Sequence, residues 1–379
     1  MADLLIFGDT IRSADMRHVV PLAVPDPFLY AETNGSRHVF SNSMEAPRLR
    51  ALGLFDAVHV GEEFGVDELV EQELPWREIG AQLSVRSVRS LGPTRFTVPD
   101  NFPVWLADRL RADGIELDVD QELFDERRRV KTEAQLAGMR RAQQAAQAGM
   151  DRCRELLRNA ERRGDDLFHD GEPLTVERVK AEMNAVFSAY GTSADEYIVA
   201  PGPQGAVGHD MGSGPIRADV PVVVDIWPRD NESGVFTDMT RTFVVGEPAD
   251  DVREWHRLVK EALDRAISEI RPGADAKAIF DGTCDIFEAA GEPTQRTKKA
   301  GEPLVDGFFH GLGHGVGLEV HEAPGLGRLS EKALVPGDVV TVEPGLYRAG
   351  YGGVRLEDIV LVTEDGAENL TQYPYDLAP

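Results

Sequence analysis

The segment HGLGHGVGLEVHE, residues 310–322, is the most distinctive stretch of the chain. It holds three histidines, and every second residue from Gly311 to Gly317 is a glycine. Glycine weakens a strand and often marks a position where a ligand or another backbone comes close. A flexible surface turn has a similar composition, so this segment alone leaves a metal or catalytic site and a plain loop equally open. The residues that surround this segment in the fold are needed to distinguish the two interpretations.

The composition limits the class of protein and its partners. The chain has 379 residues, enough for two domains, and its contents of 42% hydrophobic and 28% charged residues are typical of a soluble globular protein. A formal net charge of −26 repels nucleic acid and anionic membranes, which excludes both as main partners. We expect no transmembrane helix and no signal peptide, because neither pattern occurs. Cys153 and Cys284 are predicted to be reduced core thiols of a cytoplasmic protein.

The chain is predicted to contain two domains, separated by a polar stretch. Residues 1–125 are predicted to form an α/β domain, in which Asn34-Gly35 marks a β-hairpin. The histidines of this domain, at positions 18, 38 and 59, lie apart in the sequence and are predicted to be structural or surface residues. In residues 126–379, a capping box at Thr132 opens a long helix, and two helices followed by strands occur twice. This order predicts two similar halves packed around a shared sheet.

Each half of residues 126–379 contains one pair of strands with an acid on each arm. In the first half, Asp238 follows Asp225 by 13 residues. In the second half, Glu357 follows Glu343 by 14 residues, and such separations in a hairpin can place two acids opposite each other. A carboxylate buried after an apolar strand has to be paired, protonated or bound to a metal, and no lysine lies nearby to pair with four of them. Four acids on solvated strand edges are the alternative interpretation.

The donor types point to a particular metal chemistry. Four carboxylates and one imidazole form a hard, oxygen-rich set, whereas structural zinc sites favour cysteine and histidine. Such a set suits Mn²⁺, or Co²⁺, Fe²⁺ or Zn²⁺ in a site where carboxylates bridge two ions. A pair of ions activates water and polarises a carbonyl oxygen, which is hydrolytic chemistry. Strand alternation places Arg355 beside Glu357 and Thr240 beside Asp238, where each can orient a carboxylate.

Five motifs carry a resemblance to a known family. They are Asp225, TDMTRTF at 237–243, the 310–322 segment, TVEPGLY at 341–347 and GVRLED at 353–358. In this order they resemble the pita-bread metallopeptidases: aminopeptidase P, prolidase, methionine aminopeptidase and creatinase. The N-terminal part also resembles the creatinase-type domain of the proline-directed branch. The resemblance implies an α/β (α+β) fold, with a creatinase-like α/β domain in residues 1–125 and a pita-bread catalytic domain with pseudo-twofold halves in residues 126–379.

The resemblance also implies a metal site. The five implied metal ligands are Asp225, Asp238, His314, Glu343 and Glu357. Asp238 and Glu357 would bridge the two ions, and Glu343 would also take the proton of the attacking water. We attribute the alternating glycines of the 310–322 segment to the close approach of a peptide and two ions to this strand.

Four further residues are implied to be catalytic or to bind substrate: His209, His310, His321 and Arg355. His321 would hydrogen-bond the substrate and the tetrahedral intermediate, His209 and His310 would lie beside the substrate, and Arg355 would help to fix the site. Two features depart from the family pattern. Trp227-Pro228 and a longer turn stand where a glycine is usual, which bears on the shape of the substrate pocket, and the neighbours of His209 are unusual.

By this resemblance we expect a dinuclear metal-dependent peptidase that hydrolyses the Xaa-Pro bond at the N-terminus of peptides or in Xaa-Pro dipeptides, as aminopeptidase P or prolidase does. The alternatives are a catalytically silent pita-bread binding protein and a creatinase-like amidinohydrolase that acts on a non-peptide substrate. The complete ligand set argues against both alternatives. We expect two divalent ions, with Mn²⁺ ahead of Co²⁺, Fe²⁺ or Zn²⁺, a small peptide substrate and a homodimer.

Overall fold

The computed structural model describes residues 3–379, which form two units that divide between Arg128 and Arg129. The strands of the first unit are β1 (Leu4–Gly8), β2 (Phe28–Thr33), β3 (Ser36–Ser41), β4 (Ala57–Val60), β5 (Arg95–Val98) and β6 (Glu116–Val119). Its helices are α1 (Ala14–Val19), α2 (Ala46–Ala51), α3 (Val66–Glu71), α4 (Trp76–Ser90), α5 (Val104–Ala112) and α6 (Gln121–Arg129), with a 3₁₀ turn at Gly61–Phe64.

A six-stranded mixed sheet, in the order β4-β3-β2-β1-β5-β6, organises the first unit. The predicted hairpin is confirmed: β2 and β3 are antiparallel and joined by Asn34 and Gly35, both with positive φ. Alternate residues of the central strands enter opposite cores, with Leu5 in one core and Leu4 and Ile6 in the other. The sheet is therefore covered on both faces.

The second unit runs to Pro379 and contains the remaining elements. Its helices are α7 (Glu133–Arg158), α8 (Val176–Ala189), α9 (Asp250–Glu269) and α10 (Ala276–Ala289), with a 3₁₀ turn at Gly202–Ala206. The strands of its first half are β7 (Glu161–Arg163), β8 (Asp166–His169), β9 (Glu172–Pro173), β10 (Thr192–Ser193), β11 (Ile198–Pro201), β12 (Val222–Ile226), β13 (Arg229–Asp230) and β14 (Met239–Phe243). Those of its second half are β15 (Gly313–Gly315), β16 (Glu322–Leu326), β17 (Val339–Val342), β18 (Gly345–Arg348), β19 (Gly352–Arg355), β20 (Asp358–Val362) and β21 (Ala367–Asn369).

The predicted order of two helices followed by strands is present twice. Helix α7 begins with the expected capping box, in which Thr132 Oγ1 accepts from the Gln135 amide and the Gln135 side chain accepts from the Thr132 amide. The halves do not share one continuous sheet. A three-stranded sheet (β11-β12-β14) and a five-stranded sheet (β16-β15-β17-β20-β21) meet at a bridge between Thr240 and Glu357. Each half has its own apolar core.

Two further sequence predictions concern the described part of the chain. No helix between residues 3 and 379 has both the length and the apolar character needed to cross a bilayer. Both cysteines are free and buried, and burial raises the pKa of Cys153 to about 12 and that of Cys284 to about 11. The prediction of core thiols that form no disulfide is confirmed.

Candidate metal centre and active site

The two acids of the first half lie at the ends of adjacent strands. Asp225 is in β12, which pairs with β14 so that Asp225 stands opposite Thr240. Asp238 immediately precedes β14 and is therefore offset by two positions from Asp225. The two acids are therefore roughly opposite each other, as predicted, and the turn between them contains an additional short strand, β13. Both residues are buried.

The two acids of the second half lie at strand junctions. Glu343 separates β17 from β18, and Glu357 follows β19 and precedes Asp358, the first residue of β20. The pairings Val342 with Asp358 and Gly345 with Arg355 follow one register, which places Glu343 directly opposite Glu357. The prediction for this pair is confirmed.

The structure brings the histidine segment against these acids. Donor atoms of Asp238, His314 and Glu357 all lie within 4.8 Å of one another, a spacing that suits a shared metal ion. His314 Nε2 is 3.6 Å from Glu343 Oε1 and 3.9 Å from Asp238 Oδ2. Four of the five predicted ligands, contributed by both halves, therefore meet at one point.

The fifth predicted ligand, Asp225, adjoins the same cluster. One of its oxygens, Oδ2, pairs with Arg355 Nη2. The other, Oδ1, is buried and has no hydrogen-bond partner among residues 3–379. A buried carboxylate oxygen without a partner is costly unless a cation binds it. Asp225 thus has one oxygen held by the protein and one available as a ligand.

The proton positions on His314 also fit a metal ligand. Its Nδ1 lies 3.1 Å from the carbonyl of Gly315, which can only accept a hydrogen bond, so Nδ1 carries the proton. Burial lowers the pKa of His314 to about 4, which keeps the ring neutral. The Nε2 lone pair then faces the carboxylates of Asp238 and Glu343, an arrangement that is repulsive without a cation between them.

The charges of the acid cluster lead to the same conclusion. Burial, followed by repulsion from neighbouring carboxylates, raises the pKa of Asp238 and of Glu357 well above their ordinary values. Burial raises the pKa of Glu343 to about 8, and the negative charge of Asp225 adds to this effect. Asp238, Glu343 and Glu357 therefore cannot all stay ionised on their own. The residues present therefore fit divalent metal ions, which would supply the missing positive charge.

Tyr347 links Arg355 to His310, the histidine that was predicted to lie beside the substrate. His310 Nδ1 donates to the Gly311 carbonyl at 2.7 Å, so its Nε2 accepts from Tyr347 Oη at 2.9 Å. Tyr347 Oη in turn accepts from Arg355 Nη1 at 2.9 Å. Tyr347 was not predicted to be a site residue. The sequence did contain a signal for it: Tyr347 is four residues after Glu343 in an extended segment, so both side chains are expected on the same face.

The remaining predicted residues surround the acids. Thr240 Oγ1 donates to Glu357 Oε2 at 2.7 Å. The exposed ring of His321 packs edge-on against His314, with ring centroids 4.3 Å apart. His209 is exposed, and after burial its charge contributes to the lowered pKa values of both His310 and His321. All nine predicted site residues are thus gathered in one region, and their assignment as ligands or catalytic groups stays a prediction.

Comparisons with known proteins agree with this geometry. Residues 137–364 match the family model described as metallopeptidase family M24. The chain belongs to metallopeptidase family M24. The expected family resemblance is therefore confirmed. Arg355, Glu357 and the 310–322 segment all lie inside the matched region.

Several relatives of this M24 chain have names that describe an activity. It is 39% identical to the Xaa-Pro dipeptidase of Pyrococcus furiosus over 48% of this chain and 49% of that protein. It thus spans about half the length of that relative. It is also 32% identical to the probable dipeptidase PepE of Mycobacterium tuberculosis, over 77% of this chain and 72% of the relative.

Solved structures of family members show the same fold. The prolidase from Pyrococcus horikoshii aligns over 100% of this chain and 95% of its own, with a TM-score of 0.77 and 23% identity. The dipeptidase PepE from Mycobacterium ulcerans aligns over 100% and 93%, with a TM-score of 0.73 and 26% identity. The predicted pita-bread fold is confirmed.

Three of the alternating glycines of this M24 chain are packed closely against other parts of the protein. A Cβ on Gly313 would lie 2.8 Å from the carbonyl carbon of Thr341, and one on Gly315 would lie 2.6 Å from that of Ala323. Gly317 faces a buried ion pair. Gly313, Gly315 and Gly317 therefore make room for the neighbouring strands β17 and β16 and for side chains of the protein. The interpretation that the alternating glycines also admit a peptide and two ions stays a prediction.

Two histidines of the first unit, His38 and His59, contact each other. The His38 and His59 rings lie 3.3 Å apart between Nδ1 and Nε2, and His59 Nδ1 is 2.8 Å from Glu63 Oε2. Separation in sequence did not predict this pairing, which arises because β3 and β4 are adjacent parallel strands.

Proposed function

We propose that this chain is a dinuclear metal-dependent peptidase that hydrolyses Xaa-Pro bonds, with Xaa-Pro dipeptides as its first substrate class. One observation carries the proposal: the unprotonated Nε2 of His314 faces the carboxylates of Asp238 and Glu343 at 3.9 and 3.6 Å. A metal ion bound between these donor atoms would remove the repulsion among them. The printed names of the relatives, an Xaa-Pro dipeptidase and dipeptidases, support a peptide substrate.

The five residues that would hold the ions are Asp225, Asp238, His314, Glu343 and Glu357. When bound, a pair of divalent ions lowers the pKa of water and polarises the scissile carbonyl. Mn²⁺ is our first choice, because the donors are four carboxylates and one imidazole. We assign catalysis to residues 126–379, and we interpret residues 1–125 as a creatinase-like N-terminal domain. A homodimer in the cytoplasm remains a prediction.

We assign the remaining catalytic roles to Glu343, His310 and His321. Glu343 holds the proton removed from the attacking water at its carboxylate, which lies 3.9 Å from His310 Nδ1. His310 is held by Tyr347, and Tyr347 is held by Arg355, so this row presents a fixed, neutral imidazole to the substrate. The exposed ring of His321 is able to donate or accept a hydrogen bond at the substrate carbonyl.

The experiment compares Ala-Pro, Ala-Ala and Ala-Pro-Ala as substrates of the metal-free protein after addition of Mn²⁺. We expect free proline from Ala-Pro and no cleavage of Ala-Ala. Release of alanine from Ala-Pro-Ala in place of Ala-Pro cleavage would make the enzyme an aminopeptidase P. No turnover of any peptide with metal bound would favour the silent binding protein, and hydrolysis of creatine would favour the amidinohydrolase.

A matched pair of variants controls this assay. Glu357→Gln removes one predicted bridging ligand and should abolish metal-dependent turnover. Glu368→Gln removes one partner of the exposed Arg140–Glu368 pair elsewhere in the same unit and should leave turnover unchanged. Equal activity of the two variants would remove Glu357 from the ligand set.

A further inference from the structure

Glu322, which directly follows His321 in the sequence, forms a buried ion pair with Lys131. The side chains of Lys131 and Glu322 are each 2% exposed, and Lys131 Nζ pairs with Glu322 Oε1. Lys131 Nζ also donates to the carbonyl of Arg129 at 3.3 Å. A buried ion pair is costly to desolvate and is a weak reason for stability by itself, so its presence calls for another explanation.

The chain makes specific room for this pair. A Cβ on Gly317 would lie 2.8 Å from Lys131 Cε and 2.9 Å from Glu322 Cδ. Real Cβ atoms do not approach other atoms this closely. A side chain at position 317 would therefore displace the ends of the Lys131 and Glu322 side chains.

The pair fixes the backbone at a residue next to His321. Glu322 is the first residue of β16, and it pairs with Gly315 of β15, the strand that carries His314. His321 directly precedes Glu322, so anchoring the Glu322 side chain to Lys131 restrains the backbone from which the His321 ring reaches His314.

His321 has no other anchor in the described part of the chain. Its ring makes no hydrogen bond with residues 3–379, and its defined contact is the edge-on packing against His314 at 4.3 Å. An exposed ring held in this way takes its direction from the backbone. The backbone direction is set one residue later, by the ion pair.

We propose that Lys131 and Glu322 are positioning residues that hold His321 against His314 and thereby set the rate of peptide hydrolysis. This inference rests on the proposed function for its kinetic part only. The kinetic effect should be large, because small displacements of a positioned group cost about 10- to 100-fold in rate.

The first test uses K131M/E322L, which replaces both members of the ion pair by apolar side chains. The readout is the NMR spectrum of histidine rings labelled with ¹³C in the metal-free protein, with the His321 signal identified by its loss in H321A. We expect the His321 signal to shift or broaden in K131M/E322L and to stay in place in E368Q. An unchanged His321 signal in K131M/E322L would overturn the proposal. Peptidase activity plays no part in this test, so its result stands even if the proposed function fails.

The second test is a double-mutant cycle on kcat/KM for Ala-Pro. K131M/E322L should lower kcat/KM about 10-fold or more in the wild-type background, and less than about threefold when His321 is already alanine. An equal loss in both backgrounds would show a general structural effect and overturn the proposal. E322Q, which keeps an acceptor for Lys131, should recover most of the activity. K131Q/E322Q, which also removes both charges, takes the place of K131M/E322L in both tests if that variant does not fold.

Discussion

Two glycines of the 310–322 segment provide a test of why the segment is rich in glycine. Gly313 and Gly311 are two residues apart, and neither has a positive φ, so alanine is allowed at both by backbone conformation. Their surroundings differ. A Cβ on Gly313 would lie 2.8 Å from the carbonyl carbon of Thr341, whereas the nearest atom to a Cβ on Gly311 would be 3.5 Å away.

The cost of Gly313→Ala follows from these distances. Carbon atoms pack best at about 3.5–4.0 Å, so β15 and β17 would have to separate by roughly 1 Å. Overpacking of this kind costs about 1–3 kcal/mol. The hydrogen bonds from His314 N to Thr341 Oγ1 and from Glu343 N to the Leu312 carbonyl cross the same gap, and losing them costs about 1 kcal/mol each. We expect a total loss of about 3–5 kcal/mol for Gly313→Ala.

Gly311→Ala is the matched control. It adds the same methyl group where space exists, so the free energy of unfolding should change by no more than about 1 kcal/mol. The assay is urea unfolding of both variants and the wild type in metal-free buffer at one pH, followed by circular dichroism. Equal free energies of unfolding for the two variants would refute the strand-packing explanation of the glycines.

Three further predictions concern other contacts. Tyr347→Phe should lower the free energy of urea unfolding by about 1–3 kcal/mol, because it leaves His310 Nε2 without its donor in a buried setting. A value within error of the wild type would contradict the assigned hydrogen-bond direction. Thr240→Val should weaken Mn²⁺ binding about 10-fold in calorimetry, because Glu357 Oε2 loses the hydroxyl that orients it. Unchanged affinity would exclude that role. Burial lowers the pKa of His256 below its ordinary 6.5, so the folded chain binds fewer protons than the unfolded chain and stability falls as the pH drops below 6.5. His256→Gln should reduce this decline in a series of thermal melts from pH 7.5 to about 5, and an identical decline would contradict it.

The sequence predicted those parts of the site that depend on regular local geometry. The opposition of Glu343 and Glu357 followed from their separation, because the segments between them keep one hairpin register. The same reasoning was less exact for Asp225 and Asp238, which are offset by two positions in the ladder. Strand periodicity also does not describe the short strand β13 inside the turn that joins them.

Contacts between distant segments could not be predicted in the same way. Asp225 pairs with Arg355, 130 residues away, and Lys131 with Glu322, 191 residues away. Neither distance corresponds to any helical or strand period, so only the tertiary fold selects the partners. The glycines show the same limit: the sequence indicated a close approach, and only the structure identified the neighbouring strand Val339–Val342 as what approaches.

The central claim is that the acids around His314 form a metal site that performs the hydrolysis. The most direct measurement titrates metal-free protein with Mn²⁺ and follows, in the same samples, the ions bound per chain by mass spectrometry and the release of proline from Ala-Pro. We predict no release without metal and a rate that rises to a plateau at two bound ions. Proline release by the metal-free protein, or a chain that binds two ions and releases none, would contradict the claim.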